Sequence, residues 1–477
     1  MILYKDVTRG EDVMKTQEKF RQTVFKIAFP VTLQSLLQSS FSVIDQVMIG
    51  QLGSGSIAGI GLGGKFASIY SVILGAVASA AGIMIAQYMG AEDEKAVRRS
   101  FFTNLALSMG LAAVFLTLCA AFPEVIMGIY TKDEGTKELA AEYLRIYALS
   151  FLPMAASTIV TTMLRCMEAA SLPLFASVLA LVMNTGLNYL LIFGKWFFPA
   201  MGVKGAALAT VAAQILSCGM ILLFFRGYAR RRKAKPALGG YRERRTDTTS
   251  GLFRKQYFGI LCPMLVCEFL WSLGENVYAV VYGNLGTNAC AAMTMTIPVQ
   301  TLVIGALSGL SQASGIVIGK SLGGQNYGKA YTESKKLMKY GFIGSAVLSS
   351  LLLLTSSAYV KIYNVEPSVQ EATRHILFAF AVVAPVKVQN MILGGGIIRS
   401  GGKTKYIMWV DFIGTWMFGV PLALLSGFVW KLPIAWVYFI LSLEECVRIC
   451  ITLVIFRKKS WMKTLEMPDK PSTGAKI

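Results

Sequence analysis

Apolar residues recur along almost the whole chain in runs long enough to cross a bilayer, separated by polar connections. The pattern predicts twelve spans, at 24–50, 57–89, 101–127, 139–165, 171–194, 203–226, 257–284, 290–320, 339–363, 371–398, 405–428 and 432–456. In lipid every backbone polar group must find its partner within the protein, so these runs are read as helices. Several exceed the ~20 residues that a crossing needs, and those tilt or project beyond the bilayer. The expected fold class is an all-α integral membrane protein with twelve transmembrane helices.

The first span, FPVTLQSLLQSSFSVIDQVMIGQLG (29–53), carries a carboxylate inside its apolar run. Gln34, Gln38, Ser42 and Asp45 are spaced four, four and three residues apart, which places them on one helical face. Val31, Leu33, Leu36, Leu37, Val43 and Ile44 make the other face apolar. An ionised Asp at the centre of a bilayer helix costs about 2.5–3.5 kcal/mol, so it is kept where it meets a cavity or a partner. A packing contact to a neighbouring helix is one reading of Asp45. The polar stripe leading to it favours the other, a wetted functional cavity.

Composition supports the membrane reading. Only 15% of the 477 residues are charged, against about 25% in soluble domains, and 55% are hydrophobic. The first 25 residues are polar and basic, with no cleavable signal evident. The eight cysteines lie in or beside apolar segments without a CxxC pair, as helix-packing residues do. His375 is the single histidine, which removes His-based metal clusters and makes a His-dependent membrane enzyme a poor candidate. No enzymatic activity and no resident cofactor are expected.

A net charge of +20 would suit nucleic acid, but its distribution argues against that partner. The bases gather in alternate connections: Lys95, Arg98 and Arg99; Arg165; Arg230 to Arg245; Lys329, Lys335 and Lys336; Arg399, Lys403 and Lys405; and Arg457 to Lys459. The intervening connections are poorer in base or mix it with acid, as at Lys132, Asp133, Glu134 and Lys137. Basic residues collect on the cytoplasmic side, so both termini are expected there, in a multi-pass plasma-membrane protein that contacts lipid. Lys65, inside the second span, is read either as snorkelling outward or as facing a cavity.

One long connection, 227–256, contains YARRRKAKPALGGYRERR and reads as a basic cytoplasmic linker; a regulatory or lipid-contacting role is the alternative. It divides the chain into a leader (1–23), an N-lobe (24–226), a C-lobe (257–456) and a tail (457–477). The two lobes resemble each other. Pro30 matches Pro263, Gly50-Gln-Leu-Gly53 matches Gly283-Asn-Leu-Gly286, and Gly90 matches Gly323. Lys95-Ala96 then matches Lys329-Ala330, Ile129-Tyr130 matches Ile362-Tyr363, and Arg165 matches Arg399. Six spans per half insert both halves the same way. The pseudo-twofold axis therefore lies along the membrane normal, with the binding site expected between the six-helix lobes near the midplane.

With these motifs in place, the chain resembles the multidrug and toxic compound extrusion (MATE) family of efflux antiporters over about residues 20–460. The resemblance rests on VIDQVMIGQLG (43–53), AQYMGAED (86–93), NTGLNYLLIFG (184–194), LVCEFLWSLGENVYAVVYGNLGT (265–287), IGKSLGGQNYGKA (318–330) and GGIIRSGGKTK (395–405). It implies a central cavity and export of small amphipathic, often cationic compounds in exchange for Na+ or H+. A monomer is expected.

A carboxylate in low dielectric either exchanges a proton or joins oxygen ligands around Na+. Asp45 matches the first-helix Asp of the family pattern and is the leading coupling residue. Asn184 and Asn188 share a face of the fifth span. Some family members carry Asp at the position of Asn188; an amide ligates Na+ but does not titrate, so a paired-carboxylate proton mechanism is weakened here. Asp45, Asn184 and Asn188 are read as a Na+ site or as a polar network that joins helices.

The seventh span carries Glu268, Ser272 and Glu275 on one face. The family commonly has a Glu in this helix, and two positions compete for it. Internal alignment sets Glu275 opposite Ser42 and Tyr278 opposite Asp45, so the lobes offer acids about one turn apart for a cationic substrate or the coupling ion. For Glu268, solvation near the cytoplasmic interface is equally open. Asp411, with Thr415 one turn on, is expected to pair with Lys387 or Arg399. Phe66, Tyr70, Trp271, Tyr278, Tyr282, Met293 and Met295 either line an adaptable pocket or pack. Trp196, Trp430 and Trp461 are read as interfacial anchors.

Two other function classes remain. A lipid-linked or polysaccharide precursor flippase would need a wide, basic groove for phosphates. A membrane-embedded transferase or hydrolase would need a nucleophile–base or metal constellation.

Overall fold

The computed structural model describes residues 2–196, 198–231, 247–361 and 365–466, with side chains from residue 17 except at 42, 43, 47, 54, 231, 247–250 and 287. Most of the 227–256 linker, the Ile362-Tyr363 repeat match, the Ser42 side chain and the tail beyond residue 466 lie outside the described residues.

Among the described residues twelve helices follow in sequence, the first eleven long and apolar enough to cross a membrane: α1 (Ile2–Gly50), α2 (Ser54–Gly90), α3 (Glu94–Ala121), α4 (Glu134–Cys166), α5 (Ser171–Phe193), α6 (Gly202–Arg231), α7 (Asp247–Asn284), α8 (Thr287–Gly323), α9 (Tyr327–Val360), α10 (Pro367–Ile398), α11 (Thr404–Val429) and, in two pieces, α12 (Ile434–Ser442 and Glu444–Arg457). The helices run past the expected bilayer limits because their polar ends stay helical; α9, for example, begins at Tyr327 rather than 339. The third predicted span is cut short by Pro123, which starts a separate turn, Pro123–Gly128. The twelfth is interrupted at Leu443, next to Glu444 and Glu445.

The connections repeat as the sequence does. The α1–α2 and α7–α8 turns pass through Gly53 (φ 90°) and Gly286 (φ 108°), backbone angles that L side chains rarely adopt. Asp93 caps α3 by accepting from the Ala96 amide (2.9 Å), and Asp133 caps α4 through the Thr136 amide (2.8 Å).

Helices α1–α6 form one lobe and α7–α12 the other. Small residues line the tightest packing: Ala76, Ala80, Ala81 and Ala86 of α2 are fully buried. Large apolar side chains such as Leu223, Phe269 and Leu354 project outward, the surface that lipid covers.

The lobes meet in the half nearer both termini. There α2 and α8 cross at repeat-related positions: a Cβ on Gly90 would lie 1.9 Å from the Lys320 carbonyl oxygen, and one on Gly323 would lie 1.8 Å from that of Gln87. Thr32 of α1 donates to the Ala306 carbonyl of α8 (3.1 Å), Tyr257 of α7 to Asn104 of α3 (3.1 Å), and Lys320 pairs with Glu168 (2.6 Å). Fully buried Gln87 donates to the Ser400 carbonyl (2.6 Å) and accepts from the Leu465 amide (2.8 Å), so the segment after α12 straps the two lobes. Trp461 in that strap is fully buried, which corrects its reading as an interfacial anchor. Its ring stacks on Phe456 and its indole donates to the Phe456 carbonyl (3.3 Å). Trp196 and Trp430 are exposed.

Candidate functional site

Beyond the contact half, the lobes enclose a cavity of about 850 Å³. Its walls come from α1, α2, α4, α5 and α6 of one lobe and from α8 and α10 of the other. The lining is mostly small and polar, with Gln34, Gln38, Ser79, Thr158, Thr161 and Gln214 among it. Among the described residues Asp45 is its one acid, and Arg165 and Arg399 are its two bases.

The polar stripe on α1 does face this space. Gln34 lies nearer the closed half: its amide donates to Ser177 (2.7 Å) and its oxygen accepts from Arg165 (2.9 Å). Gln38 lines the cavity, and Asp45 lies three turns beyond Gln34, where α5 supplies its partners. Asn188 donates to Asp45 Oδ1 (2.9 Å) and to Asn184 Oδ1 (3.3 Å). With the Asn184 amide turned over, its nitrogen reaches both Asp45 oxygens at 3.1 and 3.3 Å. Either way the carboxylate is met only by neutral amides, with no base within ion-pair reach among the described residues. Asn188 Oδ1 is buried and accepts no hydrogen bond. A carboxylate and adjacent amide oxygens, one unclaimed, suit a hard monovalent cation, which takes oxygen ligands.

The C-lobe acids are arranged differently from expectation. Tyr278 does not line the cavity. α7 turns that face onto α11 and α12, where a Cβ on Gly274 would meet Thr415 (2.3 Å) and the Tyr278 hydroxyl donates to Glu444. Asp411 does not pair with Lys387 or Arg399. The Cys267 thiol donates to it (2.7 Å), and its cationic partner is Arg448 of α12 (3.8 Å), which also meets Glu444 (3.3 Å) and Glu445 (3.8 Å) and donates to Thr415. Asn390 of α10 donates to Glu445 Oε2 (2.8 Å). The result is a largely buried ionic network inside the C-lobe, which the Cys267 thiol links to Arg399 on the cavity wall. Glu275 is exposed and does not line the cavity either. Glu268 is half-buried and sits 3.8 Å from Arg399. Of the acids that the two lobes offer about one turn apart, Asp45 lines the cavity and Glu275 and Glu268 do not.

Three functional-looking side chains, Glu444, Glu445 and Arg448, have no place in the sequence reading, and two more have no cavity role in it. Arg165 and Arg399 are legible as a repeat match, and Arg399 as a candidate partner of Asp411, but nothing in their spacing places them on a cavity wall. Glu444, Glu445 and Arg448 passed unremarked inside an apolar segment, where intramembrane charge is itself the signal.

A family model described as MatE matches the chain twice, over residues 30–190 and 263–425. The chain belongs to the MatE family. The two matches begin 233 residues apart, the offset of the internal repeat. This MATE chain is 24% identical over 472 residues to a probable multidrug resistance protein NorM of Thermotoga maritima, covering 97% of this chain and 96% of the relative. It is 22% identical over 453 residues to the uncharacterized transporter YisQ of Bacillus subtilis, covering 92% and 95%. Its fold matches the outward-facing conformation of a multidrug resistance MATE family transporter with a TM-score of 0.82 at 17% identity, covering 93% of this chain and 96% of that one. The MATE protein is thus a multi-pass membrane transporter of the twelve-helix, two-lobe type.

Proposed function

We propose that this MATE protein exports small amphipathic compounds across the plasma membrane, coupled to entry of Na+ or H+, by alternating access between the two lobes. One observation carries the reading: among the described residues Asp45 is the one acid on the cavity wall, half-buried beside neutral amides. Such a carboxylate is costly to leave ionised in a membrane, so it draws a proton, Na+ or the cationic group of a substrate. Ion and substrate then compete for one group, which is the requirement for exchange. The multidrug resistance relatives support the substrate range. The basic connections on the closed face support placing that face, and both termini, in the cytoplasm. In this conformation the cavity is shut towards the cytoplasm; export needs the strap and the α2–α8 crossing to open in turn.

The test is efflux of a fluorescent cation from proteoliposomes under an imposed Na+ or pH gradient, with wild type and Asp45→Asn. We expect wild type to respond to one gradient and the folded variant to lose that response. A variant that still couples would overturn the role of Asp45. Transport of nothing under either gradient, with lipid-linked precursors moved instead, would replace the exporter by the flippase reading.

A further inference from the structure

The bases of the cavity are placed as pointedly as its acid. Arg165 ends α4 and Arg399 ends α10, at repeat-related positions, one from each lobe, and both line the same space. Arg165 donates to Gln312 of α8 (2.6 Å) and to Gln34 of α1 (2.9 Å), two neutral acceptors. No carboxylate lies within 4.0 Å of it among the described residues, and its Nε is buried without a partner. Arg399 is answered by Glu268 (3.8 Å) and donates to the Cys267 thiol (3.7 Å), which itself donates to Asp411; its Nε is buried without a partner, so it offers the second, weaker base of the pair. A guanidinium in a low-dielectric interior is normally matched by acid, and a planar fork matches a carboxylate or phosphate in two bonds.

We propose that Arg165, with Arg399 on the same cavity wall, forms an anion subsite that seats the carboxylate or phosphate group of a transported amphiphile. This rests on the export reading and extends it. Asp45 stands eleven residues beyond Gln34 on α1, about 16 Å at 1.5 Å per residue. The cavity therefore has a cation-seeking end and an anion-seeking end, and a compound carrying both charges fits it better than a simple cation.

The decisive experiment is equilibrium binding to the purified full chain in detergent, without any gradient. The probes are rhodamine B and its ethyl ester, which differ in one carboxylate. Wild type is expected to bind the acid at least several-fold more tightly. Arg165→Gln should lose about ten- to a hundredfold for the acid, the worth of a charge-assisted hydrogen bond, and less than about twofold for the ester. Arg165→Lys, which keeps the charge but not the fork, should retain part of the preference. Equal affinity of wild type for both dyes overturns the proposal with no variant needed. So does an equal loss for both dyes in Arg165→Gln, which marks a structural role. Phenyl phosphate and benzoate as competitors then identify the source: stronger displacement of the acid by phenyl phosphate assigns phosphate-bearing substrates, stronger displacement by benzoate assigns carboxylates, and displacement by neither overturns the subsite. Binding with the expected preference but no gradient-driven efflux would sink the export reading and leave the subsite standing.

Discussion

Gly323→Ala tests whether the α2–α8 crossing holds the termini-side face shut. The new Cβ would lie 1.8 Å from the Gln87 carbonyl oxygen, and the clash is with backbone on both sides. An ordinary C···O contact is about 3.3 Å, so the helices must part by roughly 1.5 Å. Overpacking of this kind costs about 1–3 kcal/mol. The cost falls on the conformation with the closed face and not on one in which α2 and α8 have separated. The closed-to-open ratio should therefore drop about five- to 150-fold. Spin labels on exposed Lys95 and Lys329, in a cysteine-free background, span the crossing for a pulsed dipolar distance measurement. Wild type should give a short, narrow distribution, and Gly323→Ala a longer one. Gly328→Ala, where a Cβ meets nothing within 4 Å, should match wild type. An unchanged distribution and unchanged thermal stability in Gly323→Ala would refute the crossing as the closing contact.

Removing Arg448 leaves Glu444, Glu445 and Asp411 buried without their shared cation. Arg448→Gln should cost about 3–5 kcal/mol, read as a lower unfolding midpoint in detergent, and an unchanged midpoint would show that the network is not structural. Trp461→Ala empties a fully buried site and should cost about 3–5 kcal/mol, whereas Trp196→Ala, at 87% exposure, should leave the midpoint near wild type. Equal effects of the two would restore the interfacial-anchor reading of Trp461.

The stripe on α1 shows what a sequence carries. Helical spacing puts Gln34, Gln38 and Asp45 on one face whatever the neighbours are, and an Asp in an apolar run announces itself by its cost. The Asn184–Asn188 spacing works in the same way, and the structure sets both residues beside Asp45. The repeat is legible too, because equivalent turns need equivalent glycines: Gly53 and Gly286 share the same unusual backbone. Periodicity along one helix says nothing about which helix lies against it.

That is why the C-lobe was misread. Internal alignment sets Tyr278 and Glu275 by analogy with the N-lobe, but α7 packs its Tyr278 face onto α11 and α12; Asp411 is expected to meet Lys387 or Arg399, yet the cation that answers it comes from Arg448, 37 positions away. Hydropathy likewise treats a terminal Trp and a terminal Arg as interface residues. Only the closing of the strap over Gln87 buries Trp461, and only the meeting of the lobes turns Arg165 and Arg399 into a cavity. The chain alone determined the helices, their number, their repeat and the polar face of each, since these follow from local spacing and the bilayer's demand for satisfied backbone. The tertiary structure decided which charges pair and which are left to face the cavity, since a charge is answered by whatever neighbour the packing brings within a few ångströms.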